Sequence, residues 1–114
     1  MDQIKEVLAT YIPKNLDECL QWLDKLVVDK KEVFKASEDR FVGMCHHGLG
    51  QKLRNEWELW SGGILAKYFK ELGISHPDDM SETILRSFYR KINGKSINLD
   101  AQIKKHQEYW KNNL

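Results

Sequence analysis

Cys45-His46-His47-Gly48-Leu49-Gly50-Gln51-Lys52-Leu53-Arg54-Asn55-Glu56-Trp57-Glu58-Leu59-Trp60 is the stretch on which the fold reading turns. Read with the residues before it, it predicts a third long helical segment from about Ser37 to Trp60, with Ser61-Gly62-Gly63 as its stop. The helix proper is expected to run unbroken from about Arg40 to Trp60, bent near Gly48 to Gly50. Glycine inside a helix costs up to about 1 kcal/mol relative to Ala, a cost usually accepted where something approaches the backbone closely. On one helix His47, Gln51, Arg54 and Glu58 share a face at i, i+4, i+7, i+11. Met44, Leu53, Trp57 and Trp60 fall on an apolar arc, with Gly43, His46 and Gly50 near the boundary.

The same period extends outward in both directions. Ile4, Val7, Leu8 and Tyr11 follow helical spacing until Pro13. Asn15 can cap a helix whose stripe is Leu16, Cys19, Leu20, Leu23 and Leu26. A short turn or helix covers Lys30 to Lys35. Another helix, Ile64 to Leu72, ends at Gly73. His76-Pro77-Asp78-Asp79-Met80-Ser81-Glu82 reads as a helix start, with Pro in the first turn and Asp79 placed three residues before Glu82. That helix continues through Ile84, Leu85, Phe88 and Ile92 to the Asn93-Gly94 turn. Asn98 or Asp100 opens a last helix carrying Ile103, His106, Gln107 and Trp110. Only Lys95 to Leu99 competes as a strand. The expectation is an all-α, compact single-domain bundle of five to seven helices over residues 1–114.

Composition narrows the function classes. With 18 Lys plus Arg against 17 Asp plus Glu, the chain gives nucleic acid no electrostatic support. No apolar run approaches the ~20 residues of a membrane span. The start, Met1-Asp2-Gln3-Ile4-Lys5-Glu6, lacks signal-peptide architecture, so the cytoplasm is the expected location. Cys19 and Cys45 sit in apolar patterns and read as buried free thiols, a disulfide being the lesser alternative.

Two readings compete at each polar cluster. Functionally, His47, Gln51, Arg54 and Asn55 line a cleft with Trp57 or Trp60 as an apolar wall. Structurally, His47 bridges within the core, Arg54 pairs with Glu58, and the tryptophans fill the interior. For the constellation as a whole the site is favoured. At His76, Asp78 and Asp79 the structural reading, a helix cap, is favoured over metal or acid–base chemistry. Adjacent carboxylates point in divergent directions, so they do not specify a paired acid and base. Asp78 or Asp79 could also hold Arg54 or His47 in place. Arg54 and the His76-to-Asp79 turn are expected to meet, because one short helix flanked by glycines separates them. Cys45, His46 and His47 are ~100° apart on a helix and cannot all face one ion. No metal, cofactor or catalytic residue is expected.

The order of these pieces resembles an uncharacterised bacterial family, the domain of unknown function number 6794. The matching residues are Ile12-Pro13-Lys14-Asn15-Leu16-Asp17-Glu18, His47-Gly48-Leu49-Gly50, Leu53-Arg54-Asn55, Leu59-Trp60 and His76-Pro77-Asp78-Asp79-Met80-Ser81. The resemblance covers about residues 12 to 92. It implies a bacterial or phage origin, a small helical fold and a polar centre of His47, Arg54, Asn55, His76 and Asp78. The segment from about 98 to 113 reads as an added C-terminal helix. The expected function is a non-enzymatic binding protein with an Arg/His/Asn pocket for a small anionic or nucleotide-like ligand. Its alternative is a protein partner, as for an immunity or inhibitor protein of a conflict system. A small hydrolase using His47 or His76 with Asp78 is the lesser alternative.

Overall fold

A computed structural model of the chain describes residues 3–113. The side chains of residues 3–5 and 32 are outside the described set, so Ile4's place on the first stripe is too, as are Met1, Asp2 and Leu114. The described residues form eight helices and no strand. These are α1 (Gln3–Leu8), α2 (Leu16–Leu26), α3 (Lys31–Lys35), α4 (Glu38–His46), α5 (Leu49–Glu56), α6 (Ile64–Glu71), α7 (Pro77–Ile92) and α8 (Leu99–Asn112). The all-α class stands. The count exceeds five to seven because the segment expected as one helix from about Arg40 to Trp60 is two.

The break has a local cause. His47 ends α4, and Gly48 takes φ −99° and ψ −102°, outside the helical region. α5 then restarts at an angle that brings Gly50 against the end of α4. A Cβ on Gly50 would lie 2.9 Å from the Cys45 carbonyl oxygen and 3.4 Å from Leu85 Cδ1. Gly50 therefore serves the close approach of the chain to itself. α5 also stops early. Glu58 adopts a left-handed φ of 57°, and the Leu59 N–H donates to the Arg54 carbonyl at 3.0 Å. That is a Schellman ending with Glu where Gly is usual. Trp57 and Leu59 turn inward from it and are buried, while Trp60 is exposed.

α7 is the helix the others pack around. Met80, Ile84, Leu85 and Phe88 are almost completely buried on it, and so are Ser81, Thr83 and Ser87. Their hydroxyl groups make this burial affordable: Ser81 Oγ donates to the Asp78 carbonyl at 3.1 Å and Thr83 Oγ1 to the Asp79 carbonyl at 2.8 Å. α2 adds Leu16, Cys19, Leu20 and Leu23 to the core, its start capped by Asn15, whose Oδ1 accepts from Glu18 N–H at 2.9 Å. α4 is tied to α7 by Arg86, whose Nη1 lies 2.7 Å from Glu38 Oε2 and 2.9 Å from Asp39 Oδ1. No described helix is long and apolar enough to cross a membrane.

Both cysteines are free, Cys19 buried and Cys45 half-buried. Burial pushes both thiols up, Cys19 well above its ordinary value. A raised folded-state value means that Cys19's contribution is complete below the unfolded thiol pKa of about 8.5 and is lost as pH rises beyond it. The melting temperature should therefore fall above that pH, and fall less in Cys19→Ala than in the parent chain. Two thiols should titrate in unreduced, denatured protein; none titrating would require a disulfide. A second test uses the glycines. Gly50→Ala should cost about 1–3 kcal/mol by overpacking. Gly43→Ala, mid-helix with nothing within 4 Å of the new methyl group, should gain roughly 0.5–1 kcal/mol in the same urea melts.

Candidate functional site

Arg54 comes first, because its charge is buried and its residue is only 5% exposed. Nη1 donates to Ser81 Oγ at 2.8 Å. Nη2 donates to the His46 carbonyl at 2.8 Å, satisfying one of the open carbonyls at the end of α4. Nε lies 3.4 Å from Asp78 Oδ1. So Arg54 and the start of α7 do meet, and the partners are Asp78, Ser81 and a helix end, not Glu58. All three nitrogens of the guanidinium are engaged within the fold.

The residues expected beside it do not converge with it. His47, Gln51 and Asn55 are exposed. The helix break removes the i, i+7 relation that had put His47 with Arg54. Trp57 is wholly buried, so it is no pocket wall, and its Nε1 makes no hydrogen bond among the described residues. Met44, placed on the apolar arc, is exposed as well.

His76 and the two aspartates are drawn elsewhere. His76, rather than Asp79, caps α7: its Nδ1 accepts from the Asp78 N–H at 3.0 Å. Asp78 and Asp79 diverge as adjacent residues on a helix must. Asp78 turns to Arg54. Asp79 turns to α8, where its Oδ2 accepts from Trp110 Nε1 at 2.7 Å and its Oδ1 lies 3.4 Å from His106 Nδ1. The other ring nitrogen of His106 is 3.4 Å from Glu82 Oε2 and 3.3 Å from Thr83 Oγ1. His106 is itself buried.

Aromatic rings continue this seam onto the surface. His76 stacks on Trp110 with centroids 5.5 Å apart and planes 21° apart. Trp60 meets His76 edge-on at 5.4 Å, and Tyr109 meets Trp110 edge-on at 5.3 Å. Two depressions flank the His76–Trp110 stack. The first, about 460 Å³, has Ile74, Pro77, Gln107 and the stack in its walls. The second, about 340 Å³, is lined by Asp78, Asp79, Glu82, Lys105 and Tyr109 beside the same stack. Gly73 sits at the edge of the first with φ +97°, and a Cβ there would collide with the Gln107 amide. The loop can reach α8 only with glycine at this position.

Residues 12–92 match the family described as a domain of unknown function (DUF6794). The chain belongs to that family. No curated protein and no solved structure matches it. The match takes in α2 to α7 and stops before α8, so the family segment contributes His76, Asp78, Asp79 and Glu82 to the cleft. His106, Gln107 and Trp110 come from outside it.

Sequence reasoning placed His106 on the last helix without a role and read Trp110, like the other tryptophans, as filling the interior; Trp110 is instead 40% exposed. The signal was present: His106 and Gln107 fall among Ile103 and Trp110 on what reads as the packed face. A polar side chain on such a face needs polar partners, and of the two acids expected at the start of α7 only one is needed by Arg54.

Arg54→Ala should lower stability by about 2–3 kcal/mol, less than a fully buried pair would lose, because Asp78's side chain is 42% exposed and can rehydrate. Arg54→Lys should recover under half of that loss, since an ammonium cannot reach three partners as a planar fork does. Urea unfolding of the two variants measures both; an Arg54→Ala variant as stable as the parent would dispose of the clamp.

Proposed function

We propose that this DUF6794 protein is a non-enzymatic binding module whose ligand enters the cleft between the His76–Asp79 turn and α8. One observation carries the reading: a continuous run of rings, Trp60–His76–Trp110–Tyr109, crosses this surface, and its inner pair lines a ligand-sized depression while its outer members stay open to solvent. Trp60, Trp110 and Tyr109 are 58%, 40% and 56% exposed. Burying such surface is favourable at about 25 cal/mol per Å², and an exposed aromatic cluster of this kind is typical of a recognition surface.

Arg54 supports an anionic or nucleotide-like ligand less well than its residue type suggests, because its nitrogens already serve the fold. The cleft's own walls favour a planar or apolar group lying against the stack. Hydrolysis has less support still. His106 has a carboxylate on each side, but the hydroxyl nearest to it, Thr83 Oγ1, gives its hydrogen to the Asp79 carbonyl. That hydroxyl is therefore committed to the fold and is not poised as a covalent nucleophile for the imidazole.

A protein partner is the second reading, including the immunity- or inhibitor-type role. Trp60 favours it, because this ring lies beyond both depressions yet continues their aromatic edge. The two readings separate by substitution. In ligand-observed NMR with a fragment collection, hits should weaken by roughly tenfold in Trp110→Ala and persist in Trp60→Ala if a small ligand is held. A protein partner should need both rings. A screen with no hit that depends on Trp110 would retire the cleft.

A further inference from the structure

We propose that the second depression, beside Tyr109 and Trp110, takes a weakly hydrated organic cation: an alkylated ammonium or a guanidinium group. This rests on the binding reading above and names its ligand chemistry.

The walls argue for it in two steps. Tyr109 and Trp110 both line the cavity, their rings 85° apart with centroids at 5.3 Å; His76 takes one face of the indole, which leaves the phenol ring and the rest of the indole to a ligand. The indole is held in place by its bond to Asp79 and by His76 stacked on it. Ring faces attract cations, and more so where water is displaced. A small, strongly hydrated ion gains little from such walls; a cation with an alkyl or planar shell can use them.

The carboxylates give the sign. Asp78, Asp79 and Glu82 all line this depression, with His106 between the last two at 3.4 Å from an oxygen of each. Arg54 offsets Asp78, and the two aspartates answer the positive end of α7. Glu82 lies a turn further on, 4.0 Å from Arg86 Nε, while Arg86 Nη1 is bound to Glu38 and Asp39. Among the described residues Lys105 is the lysine at the rim, and its charge also acts on Asp39, whose carboxyl is held down first by Arg86. An anion entering here would face three carboxylates. A cation would find them beside aromatic faces, in a cavity of about 340 Å³ that fits a group of choline size.

The cation could belong to a small amine or to a side chain of another protein, so the probes cover both. Full-length protein is titrated with choline, with its neutral isostere 3,3-dimethyl-1-butanol, and with a capped glycine–arginine–glycine peptide. Calorimetry reads affinity and the Trp110 indole N–H resonance reads location. Choline or the peptide should shift that resonance, and the neutral isostere should bind roughly tenfold more weakly than choline. Tyr109→Ala and Glu82→Gln, both checked for an unchanged far-UV circular dichroism spectrum, should each weaken the cation by about fivefold. Tighter binding of the peptide than of choline supports the same chemistry with a protein as its source. Equal binding of the isostere, or a shift at other resonances only, overturns the cation assignment. If Trp110-dependent fragments still bind in that case, the cleft stands and only its ligand class falls. If they do not, both fall.

Discussion

A buried guanidinium sets the terms for this fold. Arg54 cannot be left unpaired away from water, and the groups that pair it lie on two other pieces of chain, the end of α4 and the start of α7. The His46 carbonyl is free to accept only because α4 ends there. Ser81 and Asp78 are in reach only because α7 begins where it does. Had α4 and α5 been one helix, the His46 carbonyl would have been committed to a helical hydrogen bond with Gly50. The break at His47–Gly48 and the buried arginine are thus two sides of one arrangement, and Gly50 allows the pieces to close on each other.

Asp78 and Asp79 divide the start of α7 between two tasks. One carboxylate points to Arg54 and the interior, the other to α8. α8 buries Gln102 and His106, and only partly buries Leu99 and Ile103. It is therefore positioned largely by polar contacts: Gln102 Nε2 with Ser87 Oγ at 3.1 Å, Trp110 with Asp79, and His106 with Asp79 and Glu82. Polar contacts specify geometry more sharply than they add net stability. This is how an element outside the family match can be held in one register while its rings remain open.

What could be read from the sequence followed from local rules. Asn15 caps α2 through its side chain, and Gly73 and Gly94 end α6 and α7 with positive φ. The stripe of α2 is buried as its period requires at Leu16, Cys19, Leu20 and Leu23, and half-buried at Leu26. The meeting of Arg54 with the α7 start was also legible, since a short helix with glycine on each side returns the chain. What escaped depended on contacts remote in sequence. Gly62-Gly63 looked like the stop, yet the chain turned at Glu58, a residue with no preference for left-handed backbone; the inward pull of Trp57 and Leu59 is what holds it there. The favoured cap reading of the His76 turn holds, but that the imidazole Nδ1 and not a carboxylate does the capping is something residue type does not announce. His106 and Trp110 gained meaning only when α8 was laid against α7.

The candidate site moved for an electrostatic reason. A sequence shows which residues carry charge, but not which charges the fold has already consumed. Arg54, the group best suited to bind an anion, is consumed by a helix end, a serine and Asp78. Asp79 and Glu82, which looked like helix-start chemistry, share one buried histidine and line a depression with aromatic walls. The groups that line the depression are therefore not the one that first drew attention. In a chain of near-neutral net charge, which charges stay available to a ligand is set by pairing, and pairing is a property of the three-dimensional arrangement.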